Sequence, residues 1–128
     1  MSLHDRPTIA EILAAVREYL SGEVAASSDR RARFRALIAA NVLGIAEREL
    51  ASTAEDAAFE DRHLRELGYA DGSADERRRK LCIEIRAGAY DEPARFAAAL
   101  AFARETVARK LGVSNPRYVA RTLGTFLP

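Results

Sequence analysis

Apolar residues recur along this chain at three- and four-residue spacings, and the densest run, Arg33 to Leu50, dominates the pattern. At about 100° per residue, Phe34, Ile38, Asn41, Val42, Ile45 and Glu49 fall on one helical face, which Ala39, Leu43, Ala46 and Leu50 widen. So broad an apolar surface should touch neighbours on two sides. The pattern therefore predicts a central buried helix near residues 29–51.

The remaining pattern is helical too. Thr8 and Glu11 have the spacing of a capping box, and Ile9, Ile12, Leu13, Val16 and Leu20 follow at helical intervals, with Ser21-Gly22 as the stop. Ser28 or Asp29 caps the second helix, predicted to end near Ala51. Ser52 and Glu55 repeat the capping-box spacing and predict a new, third helix with a thin, partly peripheral face containing Phe59, Leu64 and Leu67, closed by Gly68. Ser73 and Glu76 start a fourth helix, with Leu81, Cys82 and Ile85 inward and Gly88 at its end. Asp91 caps a fifth over Pro93, whose stripe is Phe96, Leu100, Ala103, Val107 and Leu111, and Gly112 ends it. Asn115-Pro116 opens a short last helix through Tyr118, Val119 and Leu123. With no alternating strand pattern, the expectation is an all-α fold: a compact bundle of about five to six helices, forming a single domain over residues 1–128.

Composition narrows the function classes. The 20 Lys+Arg against 19 Asp+Glu leave a net charge of +1, without the basic excess of a dedicated nucleic-acid binder. The single cysteine, Cys82, excludes an internal disulfide and fits a reducing compartment. No apolar run approaches the roughly 18 residues of a membrane span. Glu11, Arg17 and Glu18 interrupt what would be a signal peptide's apolar core, so a cytoplasmic location is expected.

Candidate chemistry is sparse. Asn41 and Glu49 stand among aliphatic side chains, and burying either requires a partner. Arg117 and Arg121 on the last helix are candidate partners, so Asn41, Glu49, Arg117 and Arg121 form either a structural polar cluster or a ligand site. His63 shares a face with Phe59 and Leu67, and neither it nor His4 has a second His or Cys at ligand spacing, which argues against a zinc site. Cys82 reads as a buried, inert thiol. Arg77-Arg78-Arg79-Lys80 is the one basic run, but Asp75 and Glu76 pair with Arg79 and Lys80 four residues on, which makes a solvated face the simpler account. Asp71 to Glu76 superficially suggests a calcium loop, yet its glycine is misplaced and the distal glutamate is missing. No nucleotide-binding or nucleophile-elbow motif occurs. No catalytic residues, cofactor or metal are expected.

Three stretches together resemble a known family: Asp5-Arg6-Pro7-Thr8; Arg33-Phe34 with Ala40-Asn41-Val42-Leu43 and Glu47-Arg48-Glu49-Leu50; and Lys110-Leu111 with Asn115-Pro116-Arg117-Tyr118. They are similar to a bacterial family of small uncharacterised helical domains, encoded beside or fused to aminoglycoside-phosphotransferase-like kinases and often near acyl-CoA dehydrogenases. The resemblance spans Asp5 to Tyr118 and implies a helical fold and a kinase-like or acyl-CoA-metabolising partner, with no catalytic residue to carry over. The resulting expectation is a non-enzymatic accessory or interaction domain, with self-association as a homodimer a further option. The alternatives are a small-molecule-binding bundle using Asn41, Glu49 and nearby arginines, and, behind it, an enzyme without a recognisable motif.

Overall fold

The computed structural model describes residues 7–119 and 121. His4, Asp5, Arg6 and Leu123 lie outside the described residues. All regular structure among the described residues is helical, so the chain is all-α: α1 (Ile9–Tyr19), α2 (Arg30–Glu66), α3 (Ala74–Arg86), α4 (Pro93–Ser114) and a single turn, α5 (Pro116–Tyr118). The chain divides into two compact units, Met1–Ser52 and Thr53–Pro128. No described helix is long and apolar enough to cross a membrane.

In the N-terminal unit, α1 starts as its sequence requires. The Thr8 hydroxyl accepts from the Glu11 amide at 3.2 Å, and the Glu11 carboxylate accepts from the Thr8 amide at 2.7 Å. The helix does not stop at Ser21-Gly22. It widens into a π-type turn over Leu20–Val24, closed by the Ala25 amide on the Leu20 carbonyl five residues back. Asp29 caps α2 by accepting from the amides of Arg31 and Ala32.

Within this unit, the face of α2 that sequence predicted to be inward is not the one that is buried. Ala36, Ala40 and Gly44 are buried, whereas Phe34, Ile38, Asn41, Val42 and Glu49 are exposed, and Phe34 retains 65% of its accessible surface. The buried edge is the small-residue edge. A Cβ on Gly44 would stand 3.9 Å from the Arg17 Cδ of α1, and the Arg17 guanidinium pairs with Glu47 at 2.8 Å.

The predicted break at Ser52 also does not occur: α2 runs on to Glu66. The Ser52 hydroxyl turns back to donate to the Glu49 carbonyl at 3.3 Å instead of capping a new helix. Neither glycine nor proline stands between Ile45 and Leu67 to force a break.

The described core lies in the C-terminal unit. Phe59, Leu64, Tyr69, Leu81, Tyr90 and Phe102 form one buried cluster, with Leu67, Ala89 and Ala99 against it. Leu64 is the only one of these with no accessible surface, so residues 53–66 are central to this unit and not peripheral. Both helices entering the cluster end in the same way. Gly68 and Gly88 adopt φ of +98° and +85°. The Tyr69 and Ala89 amides then reach back to the carbonyls of Leu64 and Glu84, and those of Gly68 and Gly88 to Arg65 and Ile85. This double closure satisfies carbonyls at each helix end and folds the following residue onto the helix, which for α2 brings Tyr69 into the core.

On α3 the inward face is shifted from expectation. Leu81 is buried, but Cys82 and Ile85 are exposed, and Arg77 is buried in their place. Glu92, one residue later than the predicted Asp91, caps α4 by accepting from the amides of Ala94 and Arg95. The helix passes Gly112 to reach Ser114 and presents Phe102 inward, leaving Phe96 and Val107 exposed. Asn115 then accepts from the Tyr118 amide at 3.1 Å, opening the last turn.

Candidate functional site

Two features stand out: exposed apolar runs on the helices of the N-terminal unit and a polar network in the C-terminal unit. The first is built by helix geometry. On α1, Ile9, Ile12, Val16 and Tyr19 recur at three and four residues and are all exposed. On α2 of the same unit, Phe34, Leu37, Ile38 and Val42 are exposed as well. Single exposed apolar residues are ordinary, but a run of them along a helix is the usual mark of a contact surface. This surface can bind by burial and shape. It carries no acid–base pair and no nucleophile.

The sequence-predicted cluster is placed as follows. Asn41 and Glu49 are both exposed on α2 of the N-terminal unit, and Glu49 takes part in a polar interaction. Arg117 and Arg121 belong to the C-terminal unit and are exposed there. The burial expected of Asn41 and Glu49 is thus absent. The reason is that the helix turns its alanine and glycine edge toward α1, leaving the mixed aliphatic and polar face outside.

The network in the C-terminal unit was not anticipated. The Tyr69 hydroxyl donates to Glu84 in a short hydrogen bond, and the Tyr90 hydroxyl lies 2.9 Å from it. Because the Tyr69 proton is committed to the carboxylate, Tyr90 must donate to Tyr69. Burial, reinforced by Glu84 and Tyr90, pushes the Tyr69 phenol well above the ordinary tyrosine range. It therefore stays protonated near neutrality and is neither a nucleophile nor a ready acid. Arg95 covers the Tyr90 ring at 4.6 Å.

Beside this network, the buried Arg77 pairs with Asp61 at 2.9 Å and donates to the Tyr69 carbonyl at 3.4 Å. Its Nε is buried without a hydrogen-bond partner among the described residues. The side chains of Arg65 and Arg77 hold the Asp61 carboxyl below its usual range by hydrogen bonding, although Asp61 itself is only half-buried. Arg78 pairs with Glu60 at 2.9 Å and with Asp75. Two members of the basic run thus fasten α3 to α2, and only the other two fit the solvated-face reading. A signal for Tyr69 was present in the sequence, since it follows the helix-closing Gly68, where an apolar contact is expected. Arg77, Leu81 and Glu84 share a face by spacing, but two charges on it masked its burial.

Arg109 joins Asp56 at 2.9 Å to Glu105 at 3.2 Å and lies 4.3 Å over the Phe59 ring. His63 packs against both Phe59 and Phe102, its Nδ1 2.9 Å from the Phe59 carbonyl. This is the packing of a structural histidine. The Cys82 thiol is exposed, contrary to the expectation of a buried one. A shallow depression of about 370 Å³ is lined by Asp71, Gly72, Glu76, Arg79, Lys80 and Ile83. Its acidic and basic groups offset one another, and Glu76 is already engaged in capping α3. Among the described residues no cluster of His, Cys, Asp and Glu is arranged to hold a metal ion.

Comparison with known proteins gives one positive finding. The model of a family described as a domain of unknown function, DUF6285, matches residues 25–118. No curated protein and no solved structure matches the chain.

Proposed function

The chain belongs to the DUF6285 family, and from that membership we propose that it is a non-enzymatic accessory domain that works by docking on another protein. The observation that carries this reading is the exposed apolar run on α1 and α2, Ile9, Ile12, Val16 and Tyr19 with Phe34, Leu37, Ile38 and Val42. A helical pair that buries only small residues between its helices leaves most of its apolar surface for a contact. In support, the polar network in the C-terminal unit has the form of a structural fastening, with its one strongly perturbed phenol held in the unreactive state.

The partner implied by the family resemblance is an aminoglycoside-phosphotransferase-like kinase, with an acyl-CoA-metabolising enzyme as the second choice. Co-expression with the neighbouring kinase is the test. A stable complex that co-elutes, and that is lost when Ile12 and Val16 are replaced by aspartate, supports the reading. Independent elution of the two proteins at micromolar concentration refutes it.

A further inference from the structure

On α2, Arg31, Arg35, Ile38, Val42, Ile45 and Glu49 are separated alternately by four and three residues. That is the repeat of a seam along which two helices pair knobs-into-holes. At about 100° per residue, the seam lies on the opposite side of the helix from the buried Ala36, Ala40 and Gly44. All six seam residues except the half-buried Ile45 are exposed. Phe34 borders the seam and is the most exposed large apolar residue among the described residues of this unit.

The seam is self-complementary in one direction only. Arg31 and Arg35 stand at its start and Glu49 at its end. When two copies run antiparallel about the level of residue 40, Arg31 faces Glu49 of the second copy, the stem of Arg35 covers Ile45, and Ile38 faces Val42. Each layer then joins a large side chain to a smaller one, or a cation to an anion. A parallel pairing stacks Arg31 on Arg31 and Arg35 on Arg35, which repels. A seam built for an unrelated helix has no reason to carry its own complement in reverse order, whereas a two-fold interface requires it.

We propose that the occupant of this face is a second copy of the chain, paired antiparallel through α2. This rests on the reading of the N-terminal unit as a docking element and names its partner for the α2 face.

Sedimentation equilibrium of the full chain tests it. The expected result is a dimer whose dissociation constant rises by roughly 100-fold or more with Val42→Asp, which forces a carboxylate into two symmetric apolar layers. Arg31→Glu and Glu49→Arg each weaken the dimer about tenfold, and the double exchange restores it. These two positions are exposed, so the charge exchange decides the matter even if Val42→Asp unfolds the chain, which circular dichroism reveals. Orientation is read with cysteines in a Cys82→Ser background. Arg31→Cys mixed with Glu49→Cys gives the crossed disulfide, while neither variant links to itself.

A chain that stays monomeric at about 100 µM, or a dimer indifferent to the Arg31 and Glu49 exchanges, overturns the proposal. Self-linking by Arg31→Cys overturns the antiparallel arrangement. A monomer that still co-elutes with the kinase refutes self-pairing and leaves the docking reading standing. A dimer that ignores the kinase does the reverse.

Discussion

Replacing Leu64 by alanine probes the core directly, because Leu64 has no accessible surface and lies in the cluster formed by Phe59, Tyr69, Leu81, Tyr90 and Phe102. The substitution removes three carbon atoms. At about 0.8 kcal/mol for each buried methylene equivalent, the transfer contribution is roughly 2.4 kcal/mol. A residual cavity of about 40 Å³ adds roughly 1 kcal/mol at about 24 cal/mol per Å³. Collapse is limited here, since the aromatic neighbours are tied by hydrogen bonds and ring stacking: Tyr69 to Glu84 and Tyr90, Phe59 to Phe102. The expected loss is therefore about 3 to 3.5 kcal/mol.

Urea unfolding followed by tyrosine fluorescence is a suitable assay. The chain has no tryptophan, and its two buried tyrosines, Tyr69 and Tyr90, belong to this cluster. With a urea slope of about 1–3 kcal/mol per molar, the midpoint should fall by about 1 M or more. Ile83→Ala, at a position 58% exposed on the neighbouring α3, should cost less than about 1 kcal/mol. A Leu64→Ala midpoint within about 0.3 M of the parent would refute the placement of the core around residues 59–102.

Four further outcomes are expected. Tyr69→Phe removes the hydroxyl joining Glu84 to Tyr90 and should cost about 1–3 kcal/mol by urea unfolding; a neutral result would mean that the network contributes no net stability. In the parent, ultraviolet phenolate titration should find Tyr69 ionising above the ordinary tyrosine range. Its folded-state value is raised, so its contribution is complete below the ordinary range near 10 and is lost as pH rises further. The Asp61 carboxyl is depressed below its ordinary 3.8, chiefly by Arg65 and then Arg77, so its contribution is present above that value and lost as pH falls through the folded one. Asp61→Asn should accordingly flatten the acid limb of a stability–pH curve below about pH 4, and an unchanged limb would contradict the pairing. Gly68→Ala should cost about 1–2 kcal/mol. Open space surrounds the added Cβ, so the whole penalty comes from the φ of +98°. A thermal melt equal to the parent's would exclude that conformation.

What the sequence determined by itself is what residues settle within three or four positions of one another. Thr8 with Glu11, Ser73 with Glu76, Asp29, and Asn115 with Pro116 each start a helix as their spacing requires. Gly68 and Gly88 end helices because a left-handed residue is needed there. An all-helical chain follows from these signals together with apolar periodicity. Which face of each helix is buried was decided only by the tertiary structure, since that depends on the neighbour it meets. The Arg33–Leu50 stretch is helical as its period demands. It nevertheless turns Ala36, Ala40 and Gly44 inward, with the Arg17 side chain of α1 beside Gly44.

The same reason explains Ser52, Arg77 and Asn41 with Glu49. A hydroxyl three residues before a glutamate reads as a cap, yet the helix continues and the hydroxyl bonds backward. An arginine in a basic run reads as solvated, yet Asp61 and the Tyr69 carbonyl supply the partners that make its burial tolerable. Asn41 and Glu49 read as buried fasteners, and they lie outside because the partner face they were expected to meet is not the one α2 presents to α1. Local chemistry fixed where helices begin and end, and the side chains brought to them from elsewhere in the chain fixed what each helix hides.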